Sequence, residues 1–133
     1  MSVFEKIIVG EIPSYTIRED ENFIAILDIA PLVKGHVLVI PKTSIDKIFD
    51  LPESYLAKML VFAQPIARAM EATFDCNRVG LSVIGLEVPH AHMHLVPINS
   101  ADDLNFTRKK LSLNDGELTE IKEQIISMLP PVF

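Results

Sequence analysis

The chain has 133 residues, 49% of them hydrophobic, a length and composition that support a buried core and argue against disorder. Its net charge of -6 excludes the basic surface that a nucleic-acid backbone requires, and its apolar runs are too short to cross a bilayer. The single cysteine, Cys76, excludes an internal disulfide and fits a reducing compartment.

The opening residues Met1 to Ile8 lack a basic segment followed by a long apolar run, so no secretory leader is expected and the cytoplasm is the expected location. Ser2 and Glu5 predict a capping box and a short helix that stops near Gly10, ahead of Pro13. Tyr15 to Arg18 and Phe23 to Leu27 predict two short strands joined through the polar turn Glu19 to Asn22. Asp28 to Pro31 is a loop, Lys34-Gly35 a turn, and His36 to Pro41 a third, strongly apolar strand. Asp50 or Leu51 caps a long helix with Pro52 in its first turn. Leu56, Met59, Leu60, Ala63, Ile66, Ala67 and Met70 supply its apolar stripe, and Pro65 predicts a kink. Arg78 to Ile84 and Ala91 to Ile98 complete five strands. Residues 99–111 read as loop. Asn114 and Glu117 open a final amphipathic helix that Pro130-Pro131 ends. Strands come in runs, which predicts a single α+β domain over 1–133. Its sheet is five-stranded and mostly antiparallel, and its helices, a long one and a C-terminal one among them, all pack on one face.

The chemistry concentrates in Val88-Pro89-His90-Ala91-His92-Met93-His94-Leu95-Val96. Three of the four histidines stand two residues apart. On a strand that spacing sets His90, His92 and His94 on one face, roughly 6.6 Å from one to the next, with Ala91, Met93 and Leu95 on the other. A purely structural role is costly, because each buried imidazole needs partners for two ring nitrogens and adjacent cations repel. Three chemical readings stay open on the residues alone. One is a metal centre, with His36 as a further ligand. The second is nucleophilic catalysis, in which a neutral imidazole attacks phosphorus and carries a phosphoryl or nucleotidyl group. The third is a binding module that only holds an anion.

The string His90-Ala91-His92-Met93-His94-Leu95-Val96 resembles the signature of the histidine triad (HIT) nucleotide-binding family. Phe4 to Ser14, Asp28 to Pro31 with Gly35 to Lys42, and Gly85 with Val88-Pro89 match further segments in the same order. The resemblance runs from about Val3 to Pro97 and is similar to the compact Hint-like branch. It implies a HIT-like fold and a hydrolase or transferase that cleaves purine nucleoside phosphoramidates through a nucleotidyl-histidine intermediate. Under it, His92 is the nucleophile and His94 bonds the phosphate or leaving group. His90 orients the others from behind, and His36 supports them from the neighbouring strand. Asp28 holds the ribose hydroxyls, while Phe4, Ile7, Ile26 and Ile29 surround the base. Backbone N–H groups after Gly85, on the way to Val88, meet the phosphate. No metal or other cofactor is required. The expected partners are an AMP-like purine nucleotide and a second copy of the chain, with no nucleic acid and no membrane. A dinucleoside polyphosphate hydrolase is the nearest enzymatic alternative. Two positions depart from the family pattern: Leu86 stands where Gln is frequent and Val79 where Asn is common, and both polar residues usually help around the phosphate.

Overall fold

Alternation along the strands sorts the chain into two layers. In the computed structural model, which describes residues 1–131, the strands are β1 (Thr16–Glu19), β2 (Phe23–Leu27), β3 (Val37–Pro41), β4 (Arg78–Ser82) and β5 (Met93–Ile98). They form one sheet in the order β1-β2-β3-β5-β4, every neighbouring pair antiparallel. The turn between β1 and β2 is closed by Asp20, whose Oδ1 accepts the N–H groups of Asn22 and Phe23, both at 2.8 Å. That side chain replaces backbone partners the turn would otherwise leave open.

One face of the sheet presents Phe23, Ala25 and Leu27 of β2, Val37 and Val39 of β3, and Met93 and Leu95 of β5. The helices α2 (Glu53–Thr73) and α3 (Asp115–Ser127) cover it with Met59, Phe62, Ile66, Met70, Leu118, Ile121 and Ile125. Each such side chain taken from water contributes about 1.5–3 kcal/mol, so this layer is the main source of stability. Helix α2 is a crossover. It leaves β3 and returns along the outer edge as β4, and β5 then fills the slot between them. Pro65 lies inside the 21-residue helix, which continues past it to Thr73. Asn114 caps α3, its Oδ1 accepting from the Glu117 N–H at 2.8 Å, and the Tyr15 hydroxyl donates to Asp115 at 2.6 Å to tie that helix to β1.

The first helix breaks the expected one-sided arrangement. The helix α1 (Val3–Ile8) carries the predicted Ser2–Glu5 capping box, but it lies on the opposite face. There Phe4 packs with Ile24, Ile26, Leu38 and Ile40. Boundaries shift modestly elsewhere. The long helix begins after Pro52, β4 stops at Ser82, and β5 starts at Met93 and not at Ala91. The extended run before β5 is held without a ladder partner of its own, through the Ala91 N–H donating to the Ile45 carbonyl at 2.7 Å. Within 99–111, a short 3₁₀ turn forms at Ala101–Leu104.

Gly35 has a specific task. Its φ of +92° disfavours other residues, and a Cβ there would stand 2.4 Å from the Phe74 ring. The tight turn it permits delivers His36 to the same face as the triad.

Candidate active site

His36, His90, His92 and His94 all lie on the face opposite α2 and α3. None is more than 8% exposed. Parity explains the placement. His36 precedes Val37 and His94 precedes Leu95, and both of those neighbours point into the helix-covered core. The registers Leu38↔His94 and Ser82↔His94 seat His94 between β3 and β4. His92 precedes β5 yet keeps the alternation, since Ala91 and Met93 both belong to the helix-covered core. The rings of His92 and His94 stand 5.0 Å apart between centroids.

Backbone groups have fixed polarity, and this sets the protons on the rings. The Leu32 N–H donates to His36 Nδ1 at 3.1 Å. His36 therefore carries its own proton on Nε2, which lies 2.9 Å from His94 Nδ1. His94 Nδ1 is thus an acceptor, and His94 Nε2 presents an N–H. His92 has the reverse polarity. Its Nδ1 lies 2.7 Å from the His90 carbonyl, which can only accept, so His92 Nε2 keeps a lone pair. His90 Nε2 donates to the Pro41 carbonyl at 2.7 Å, while its Nδ1 has no partner among the described residues. His90 thus acts on His92 through its main chain, and its own ring serves to anchor the segment to the end of β3.

Burial keeps His36, His92 and His94 neutral. It pushes His36 down to about 3 and His94 down to about 4, with the neighbouring histidines and Lys110 adding to the effect. His92 is also lowered, chiefly by burial and only partly offset by its bond to the His90 carbonyl. Asp28 moves the other way. Burial raises its carboxyl, against the opposing Ala30 N–H, which donates to Oδ1 at 2.9 Å, and the charge of Lys110. At neutral pH the cluster therefore offers a free imidazole lone pair beside an imidazole N–H donor. That pairing suits nucleophilic attack on a centre whose oxygens need a donor.

The histidines form the floor of a cavity of about 380 Å³. Phe4, Asp28, Gly85, Val88, His36, His92 and His94 line it. His90 lies behind it. Three of the four expected base contacts stand outside its wall. Ile26 is buried beneath Phe4, Ile7 packs against that same apolar cluster, and Ile29 is 67% exposed. Leu38, Ile84, Leu86 and Glu87 complete one side. Phe106, Thr107 and Lys110 close the other, all from the segment expected to be plain loop. Phe106 meets the His94 ring edge-on at 4.7 Å, and Phe4 meets the His92 ring in the same way at 4.9 Å. Two phenylalanines thus bracket the two central imidazoles.

Asp28, His36 and His94 also bring three potential ligand atoms within 4.8 Å of one another. They fit a hydrogen-bonded relay better than a metal. A metal on His36 Nε2 would move that ring's proton to Nδ1, head-on against the Leu32 N–H.

A family model described as the HIT domain matches residues 9–101. The chain belongs to the HIT family. HIT proteins are typically nucleotide hydrolases. Protein hit of Bacillus subtilis is 43% identical over 103 residues, which span 71% of this chain and 69% of that one. Adenosine 5'-monophosphoramidase HNT1 of Saccharomyces cerevisiae is 38% identical over 96 residues, spanning 71% of this chain and 61% of the yeast protein. The crystal structure of a Hit-like protein from Bartonella henselae superposes with a TM-score of 0.83 at 28% identity, over 96% of each chain. Against the HIT pattern, the two departures fall in different places. Leu86 is 88% exposed on the cavity rim, whereas Val79 lines a separate groove between α2 and β4. Among the described residues, no helix is long and apolar enough to cross a membrane.

Proposed function

We propose that this HIT protein hydrolyses purine nucleoside phosphoramidates of the AMP–amine type through a covalent intermediate on His92. The observation that carries the reading is the opposed polarity of two adjacent rings: a lone pair on His92 Nε2 beside a hydrogen on His94 Nε2. In the first step His92 Nε2 bonds to the α-phosphorus as the phosphorus–nitrogen bond of the substrate breaks, and the amine leaves with a proton taken from solvent water. His94 Nε2–H, together with N–H groups after Gly85, bonds the phosphate oxygens. Water then forms the new phosphorus–oxygen bond and loses a proton to solvent, His92 departs as a neutral ring, and AMP is released. Each donor to the phosphate lowers the barrier by about 3 kcal/mol. Asp28 accepts from the ribose hydroxyls, and Phe4 and Val88 contact the base. The yeast adenosine 5'-monophosphoramidase supports this substrate class.

The test is acid-quenched mass spectrometry during turnover of an adenosine phosphoramidate. An added nucleotidyl mass on the native chain, absent from His92→Ala, is the expected result. Turnover with an unmodified chain removes the covalent step. Binding of AMP with no turnover of any phosphoramidate would instead favour a binding module, the reading to which the exposed Leu86 at the rim lends weight.

We also infer that the working unit is a homodimer. The outer edge of β4 has no strand partner among the described residues, and the adjoining groove exposes Leu60, Val61 and Leu81. A second copy of the same edge would cover both apolar side chains and unpaired ladder groups. Light scattering should report twice the chain mass, and Leu60→Glu should halve it. A native monomer at micromolar concentration refutes the pairing.

A further inference from the structure

The mechanism leaves one charge unexplained. The substrate phosphate is anionic, yet burial holds the histidines of the cavity neutral and Leu86 adds no polar group. The other charged residues of the wall are Asp28 and Glu87, both acidic, and Lys110. Among the described residues, Lys110 is therefore the sole permanently cationic side chain lining the cavity. Arg108, two residues earlier, is occupied elsewhere, 3.2 Å from Asp103.

Lys110 is held in place by local contacts. Its Nζ donates to the Phe106 carbonyl at 2.7 Å and stands 6.0 Å from the centre of the Phe106 ring. The ring in turn packs on His94 at 4.7 Å. The next residue, Leu111, donates its N–H to the Pro31 carbonyl at 2.8 Å, which ties the segment to the loop that follows Asp28. Row by row, the order is Phe4, His92, His94, Phe106, Lys110. The ammonium lies beyond His94, the ring that presents an N–H to the phosphate. Two of its three hydrogens remain uncommitted, and no carboxylate among the described residues lies within 4.0 Å of it. Its field already reaches Asp28, His36 and His94.

We propose that Lys110 is a phosphate-binding residue, anchored on Phe106, whose ammonium supplies the positive charge for the anionic phosphoryl group on the His94 side of the cavity. The proposal rests on the nucleotide reading above. It gives the irregular segment after β5 a role in ligand selection, favouring nucleotides over nucleosides. An ammonium contacts a phosphate as a point charge, so arginine at this position should substitute in part.

The test compares AMP with adenosine by calorimetry, in the native protein, Lys110→Met and Lys110→Arg. Lys110 is exposed, so neither change threatens the fold. AMP binding should weaken about tenfold in Lys110→Met, with adenosine binding unchanged and with AMP binding largely restored in Lys110→Arg. In turnover the same change should raise KM more than it lowers kcat. AMP binding that is unchanged in Lys110→Met overturns the proposal and leaves the nucleotide reading intact. Equal weakening of AMP and adenosine also overturns it, because the loss would then not follow the phosphate. A native protein that binds neither ligand overturns both readings.

Discussion

The helix-covered face of the sheet and the histidine face are built from the same strands by the same alternation, and both are buried. Under α2 and α3, Phe23, Val39, Met93 and Leu95 meet only other apolar side chains, and their burial stabilises the fold directly. On the other face, Phe4, Ile24, Ile26, Leu38 and Ile40 share the sheet with four imidazoles. Burying an imidazole costs free energy unless both nitrogens are partnered, and here the partners are mostly main-chain groups and other imidazoles. The contrast shows how a sheet only five strands wide holds a reactive cluster. One face generates enough stability for the other to hold polar groups in a fixed arrangement.

Three experiments sharpen or break that division. The largest effect is expected from His92→Ala, which should lower turnover by about 10⁴-fold or more. Its melting temperature should stay within a few degrees of the native value, measured by circular dichroism. A large loss of stability in this variant would show that the histidine face is itself a structural core. Next comes Ile66→Ala, at a fully buried position of α2. It should destabilise by about 3 kcal/mol in urea unfolding, while KM per folded molecule is unchanged. A changed KM would mean that the two faces are coupled.

The third experiment is a pH series. His36 and His94 are depressed in the folded state from an ordinary value of 6.5 to about 3 and about 4. Above pH 6.5 both the folded and unfolded states carry these rings neutral, and their contribution to stability is complete. As pH falls below 6.5 the unfolded chain gains protons that the folded one does not, so stability declines until the folded rings titrate. The ceiling is about 1.4 kcal/mol per pH unit for each ring, and partial relaxation reduces it. The unfolding free energy from urea titration, and with it the midpoint, should therefore fall, by on the order of 2 kcal/mol between pH 7 and pH 5. His36→Asn, which has no titrating ring, should flatten the slope. A midpoint unchanged across that range would show that the rings are hydrated in solution.

The histidine face was legible because period 2 survives translation into structure. Residues at 90, 92 and 94 share a side whether or not the ladder extends to all of them, and β5 in fact begins at Met93. The family resemblance names Asp28, Gly85 and Val88 for the substrate, and the structure sets them in the cavity wall. Ile29 lies exposed outside the cavity wall, because its position depends on how the 28–35 loop turns, and no periodicity encodes that. Phe106, Thr107 and Lys110 escaped notice for a related reason. They reach the cavity by long-range packing of an irregular segment, closed through Pro31. One signal was available. Arg108-Lys109-Lys110 is the chain's only run of three basic residues, in a sequence of net charge -6. The first helix was found by its capping box, but the box says nothing of which face the helix will cover.

The hydrogen bond from Leu32 to His36 has a reach well beyond the loop that makes it. It decides which way protons are oriented through two rings, and its source is a peptide group that nineteen of the twenty amino acids share. Side chains at position 32 are free to drift, within packing limits, without reversing the wire. Proline alone removes that hydrogen, and so a single imino acid in the loop before His36 frees both rings to reverse their tautomers.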